Sequence, residues 1–125
     1  MTAQTESIYL DHNATTLVAP ECAEPMLAAM REAYGNPASK HSAGERAKQL
    51  TEQARAQVAR LLSAATSEIV FTSGGTEANH LALLGTLGAS PGKRHIVTSA
   101  VEHPSTLDLL AQLETQGVRV TRLPV

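Results

Sequence analysis

The chain has 125 residues, a net charge of −2 and no cluster among its ten Lys and Arg residues, which argues against nucleic acid and anionic membrane as partners. At this length it forms one domain at most. Charged residues make up 18%, below the typical share of about 25%, so much of the chain is expected to face other protein.

Met1-Thr2-Ala3-Gln4-Thr5-Glu6 lacks the basic and apolar regions of a signal peptide. No apolar run approaches the roughly 18 residues of a membrane helix. A cytoplasmic protein is expected. Ile8-Tyr9-Leu10 reads as a short extended piece before the polar Asp11-His12-Asn13-Ala14-Thr15-Thr16. Pro20 suits the first turn of a helix running to about Tyr34, with Gly35 as its stop. Cys22, the single cysteine, lies in that helix and is expected as a free, buried thiol; alone it excludes an internal disulfide and a cysteine-rich zinc site.

After the loop Gly35-Asn36-Pro37-Ala38-Ser39 a long helix is predicted from about Ser42 to Ser63. Ala43, Ala47, Leu50, Ala54, Val58 and Leu61 share one face, opposite the solvated Glu45, Lys48, Glu52 and Arg60. Strands are predicted near 68–72, 95–99 and 118–123, with helices near 76–88 and 104–116 between them. Alternating strand and helix implies an α/β fold with parallel strands. Such a sheet needs helices on both faces, and three strands make a small open one. With Leu123-Pro124-Val125 ending on a strand, the chain reads as an incomplete part of a larger domain.

The most informative stretch is Ile69-Val70-Phe71-Thr72-Ser73-Gly74-Gly75-Thr76, a predicted strand running through two glycines into a helix. Ala78, Leu81, Ala82, Leu83, Leu84 and Leu87 make that helix apolar on nearly every side, as a buried helix reads. The glycines are expected to allow a sharp turn and bare backbone N–H groups. A helix start holds such groups unpaired, with roughly half a positive charge. It is a place for a phosphate. Neither the dinucleotide fingerprint nor the P-loop pattern is present; Gly75 and Thr76 would offer donors and a hydroxyl instead. A Gly-Gly turn with no ligand, and Thr76 as a plain N-cap, remain open on these residues alone.

Four segments carry a family resemblance: Tyr9-Leu10-Asp11-His12-Asn13-Ala14-Thr15-Thr16, Gly35-Asn36-Pro37-Ala38-Ser39-Lys40-His41, Glu68 to Asn79, and Glu102-His103-Pro104. In order and spacing they resemble the N-terminal part of NifS/IscS-type cysteine desulfurases, pyridoxal-phosphate enzymes of the class V aminotransferase group. The resemblance implies a partial PLP-transferase large domain of fold type I, with an N-terminal arm over 1–17 and the large domain from 18 to 125. It implies that Gly75 and Thr76 hold the phosphate of pyridoxal 5'-phosphate. It assigns His103 to the face of the pyridine ring as a candidate proton carrier, and Asn13 and Ala14 to the neighbourhood of the substrate amino acid. Histidine gains and loses a proton near neutrality, which suits that task. Asn36 and His41 are expected as loop-shaping residues. His12, His41, His80 and His95 lack ligand spacing, so no metal site is expected.

By the same resemblance the substrate is L-cysteine, the products are L-alanine and an enzyme persulfide, and the sulfur passes to an acceptor such as an iron–sulfur scaffold protein. A homodimer is implied at full length. The Schiff-base lysine and the sulfur-accepting cysteine of the family lie downstream; Lys40, Lys48, Lys93 and Cys22 match neither. The 125 residues alone are therefore expected to be inactive. Another class V enzyme such as selenocysteine lyase, and a non-catalytic binding module, are the alternative readings.

Overall fold

A computed structural model describes residues 8–125; the first seven positions of the expected N-terminal arm lie outside the described residues. The chain divides into two compact units, one up to Ile69 and one from Val70 to Val125.

The first unit begins with Ile8-Tyr9-Leu10, exposed and unpaired as a strand. Helix α1 spans Pro20–Glu32 and helix α2 Ser42–Leu61; a 3₁₀ turn, Thr66–Glu68, follows. Proline at the first position fixes the entry angle of α1. No residue of α1 is buried, so Cys22 is exposed rather than sequestered, correcting the expectation of a buried thiol. The reason lies in packing: among the described residues nothing covers α1 enough to bury any of its side chains, and Arg46 of α2 meets it in an exposed ion pair to Glu32 at 2.6 Å. Such a pair contributes little to stability.

Helix α2 is rich in Ala, Gln, Glu, Arg and Leu, all strong helix formers. His41 caps it, its Nδ1 accepting from the Gly44 N–H at 3.4 Å, and Asn36 Oδ1 accepts from the Ala38 N–H at 2.9 Å. Both side chains therefore shape the loop, as expected of them. Gly35 does not stop α1 through a left-handed backbone; it is needed for close approach. A Cβ there would sit 2.2 Å from the Ala43 carbonyl oxygen, and one on Gly44 would sit 2.3 Å from the Ser39 carbonyl oxygen. Beyond α2, Glu68 reaches back to the Ala65 N–H at 2.6 Å, and Arg55 donates to the Ile69 carbonyl.

The strand predicted over 68–72 is absent. Glu68 ends the 3₁₀ turn and Ile69 is extended, but no described strand pairs with 69–72. Extended backbone becomes a strand only when a neighbour takes its N–H and C=O groups.

The second unit runs α3 (Gly75–Ala89), β1 (His95–Ser99), α4 (Pro104–Thr115) and β2 (Arg119–Leu123). The two strands pair in parallel, Ile96 opposite Val120 and Ser99 opposite Leu123. Residues three and four apart on α4 bury Leu109, Leu110 and Leu113 with Val118; Leu83, Leu87, Ile96 and Val120 pack against them. Gly117, at φ +80°, ends α4 in the left-handed region that a side chain rarely adopts. Arg122 forks onto Glu114 at 2.9 and 2.7 Å, tying β2 to the end of α4 and lowering the Glu114 pKa through those bonds. Helix α3 is not the buried helix its composition suggests. None of its residues is buried, and Leu81 and Leu84 are 51% and 46% exposed, because α4 covers one side of it only.

Candidate active site

The chain enters α3 through a turn that the sequence closes on itself. Glu77 accepts from the Ser73 N–H at 2.6 Å and from the Ser73 hydroxyl at 2.7 Å. The backbone bond to Ser73, then the hydroxyl bond, hold the Glu77 carboxyl below the ordinary carboxylate range. Thr72 Oγ1 donates to the Gly74 carbonyl at 3.1 Å. Gly74 is extended, at φ 168° and ψ 179°, and brings no side chain to cap the helix.

The first intrahelical bond runs from the Ala78 N–H to the Gly74 carbonyl, 3.1 Å. The amides of Gly75, Thr76 and Glu77 precede it and have no acceptor among the described residues. A Cβ on Gly74 or Gly75 would meet nothing within 4 Å. The two glycines are thus required neither by a left-handed backbone nor by crowding. What they do is leave the backbone amides open to approach.

His103 lies before α4 in extended backbone and caps that helix, its Nδ1 accepting from the Ser105 N–H at 3.1 Å. Pro104 follows in the first turn, where its missing N–H costs nothing. Gly75, Thr76, Asn79, His103 and Ser105 together line a cleft of about 400 Å³. Its chemistry is uniform: backbone amides, hydroxyls, an amide and an imidazole, with no carboxylate among the lining residues. Such a set fits an anion at the helix mouth beside a flat ring.

Three of the five predicted site residues, Gly75, Thr76 and His103, therefore meet in one cleft. Asn13 and Ala14 belong to the first unit, in a turn where the Ala14 N–H donates to the Asp11 carbonyl at 3.1 Å. The Tyr9 hydroxyl bridges that turn, 2.9 Å from the Asp11 carbonyl and 2.8 Å from that of Thr15. The sequence reading left Asn79 and Ser105 without a role. Helical spacing carried the signal for the first, since Thr76, Asn79 and His80 fall on one face of α3. Lys93, in the same unit, does not line the cleft. Among the described residues no group of His, Cys, Asp or Glu could hold a metal ion, and no helix is long and apolar enough to cross a membrane.

A glycine-led helix and a histidine-capped helix meet at this anion-friendly cleft, in an α/β unit that also holds a parallel strand pair. Residues 8–125 match the family model "Aminotransferase class-V", and the chain belongs to that family. It is 52% identical over 118 residues to a cysteine desulfurase of Trichormus azollae, covering 94% of this chain and 30% of that protein. A cysteine desulfurase of Rhodobacter capsulatus is 51% identical over 121 residues, with 95% and 32% covered. Among solved structures, a NifS-like protein superposes with a TM-score of 0.86 at 39% identity, over 94% of this chain and 33% of its own. The chain spans about a third of the length of the relatives it matches.

Proposed function

We propose that this chain is the cofactor-cradling part of a pyridoxal-phosphate-dependent cysteine desulfurase, which takes sulfur from L-cysteine and leaves L-alanine. The observation that carries the reading is the meeting of Gly75, Thr76 and His103 in one cleft, in a chain half identical to proteins named cysteine desulfurases. Those names favour desulfuration over the selenocysteine lyase and binding-module readings.

The amides of Gly75 and Thr76 and the Thr76 hydroxyl bind the phosphate, where the partial positive charge of the α3 start assists them. His103 covers the pyridine ring and carries a proton to or from the substrate. When bound, pyridoxal phosphate supplies the electron sink for the charge left when the substrate loses its α-proton. Asn13 and Ala14 approach the substrate amino acid. The covalent lysine and the thiol that receives the sulfur are supplied by the rest of a full-length enzyme, as are the homodimer contacts. The sulfur goes on to an acceptor, such as an iron–sulfur scaffold protein, in the cytoplasm.

The test is product analysis. The natural-length protein, given pyridoxal phosphate, L-cysteine and a thiol reductant, should release alanine and sulfide in equal amounts. Pyruvate with sulfide, or no alanine at all, would contradict the proposal.

A further inference from the structure

Ser105 spends all three of its polar groups at one spot. Its N–H donates to His103 Nδ1 at 3.1 Å, and its Oγ lies 2.9 Å from the same nitrogen. Its carbonyl lies 3.1 Å from His80 Nε2. Since a carbonyl only accepts, His80 Nε2 is the donor there. Asn79 Nδ2 donates to Ser105 Oγ at 3.1 Å and to Thr106 Oγ1 at 3.4 Å.

These contacts settle which nitrogen of His103 holds the proton. A backbone N–H only donates, so Nδ1 presents its lone pair and the neutral ring carries its hydrogen on Nε2. The Asn79 amide donates to Ser105 Oγ, and because Nδ1 carries no hydrogen the Oγ–Nδ1 contact has the hydroxyl as donor. Donation then runs one way, from Asn79 through Ser105 to His103. A plain helix cap needs only the Ser105 N–H; the hydroxyl and the Asn79 amide go beyond it.

Both supports of Ser105 come from α3. Asn79 and His80 sit one turn beyond Gly75 and Thr76 on the same helix. One rigid element therefore sets the anion-facing amides and, through Ser105, the imidazole.

We propose that Ser105, held by Asn79 and His80, is a positioning residue for His103: it fixes the imidazole as the Nε2–H tautomer and sets its orientation in the cleft. Any proton that His103 exchanges there passes through Nε2. The consequence for turnover rests on the reading of His103 as the group over the cofactor ring; the tautomer does not.

The experiment is nitrogen NMR on the natural-length protein with ¹⁵N-labelled histidine, recorded with and without pyridoxal phosphate. Wild-type His103 should show a proton-free Nδ1 and a protonated Nε2 in both states. Ser105→Ala should shift the tautomer ratio toward Nδ1–H by about five-fold, the worth of one neutral hydrogen bond. It should lower kcat by a similar factor with KM little moved, and Ser105→Thr, which keeps the hydroxyl, should restore ratio and rate. A wild-type ring protonated at Nδ1, or a Ser105→Ala ring with the wild-type ratio, overturns the proposal. Failure of the cofactor reading is seen separately, as His103 signals that do not move when pyridoxal phosphate is added.

Discussion

Glu77 grips Ser73 twice, by its N–H at 2.6 Å and its hydroxyl at 2.7 Å, closing the turn that opens α3. Both bonds require the carboxylate as acceptor, and both hold the Glu77 pKa down, the backbone bond most. A carboxyl depressed on folding stabilises above its unfolded pKa, and that contribution fades as pH falls through the folded value. The Ser73 amide proton should therefore shift with a midpoint below the ordinary glutamate value of about 4.3. Glu77→Gln should abolish that titration. A midpoint at or above the ordinary value would show that the grip is absent in solution.

Two glycines of similar appearance should respond oppositely to substitution. Gly35→Ala forces a Cβ to within 2.2 Å of the Ala43 carbonyl oxygen, a backbone atom that cannot swing aside. It should cost roughly 1–3 kcal/mol, the usual range for overpacking, read by denaturant unfolding. Gly75→Pro should leave stability within about 0.5 kcal/mol, because proline suits the first helical position and Gly74 before it is already extended. It removes one amide and places a ring carbon where that N–H pointed. Pyridoxal phosphate affinity should fall about ten-fold, the worth of one hydrogen bond to a charged group. Unchanged affinity would exclude the Gly75 amide as a ligand.

Leu110 is fully enclosed among Leu109, Leu113 and Val118. Leu110→Ala should destabilise by about 2–5 kcal/mol through lost transfer energy and the cavity left behind. The exposed Leu81→Ala should cost far less in the isolated chain. Equal losses at the two positions would mean that α4 does not anchor this unit.

Thr76 offers a hydroxyl as well as an amide. Thr76→Val keeps the β-branched shape and the N–H and deletes only the hydroxyl. It should weaken pyridoxal phosphate binding by about ten-fold or more, measured by fluorescence titration of the natural-length protein. His103→Ala should lower kcat for alanine formation by at least about 100-fold while the cofactor still binds.

Local signals read true. Pro20 marked a helix start, the apolar spacing of α2 marked a helix, and β1, α4 and β2 fall where elements near 95–99, 104–116 and 118–123 were predicted. Gly75 and Thr76 stand out in the sequence at a glycine-led helix start, whereas His103 is singled out by the family resemblance; the structure brings the three to one cleft. What failed depended on partners distant in sequence. Residues 69–72 have strand composition but no neighbour to pair with among the described residues, and α3 has buried-helix composition with one side covered. Cys22 was misjudged for the same reason, since burial belongs to what packs on α1 rather than to its own residues. Ser105 escaped notice because its role lies in three hydrogen bonds that no residue pattern announces.

The most direct measurement is a crystal structure of the natural-length protein with pyridoxal phosphate bound. The account predicts phosphate oxygens within about 3 Å of the Thr76 amide and hydroxyl and the Gly75 amide, with the His103 ring stacked on the pyridine. A phosphate bound elsewhere, with the α3 start facing solvent and His103 turned away, would contradict it.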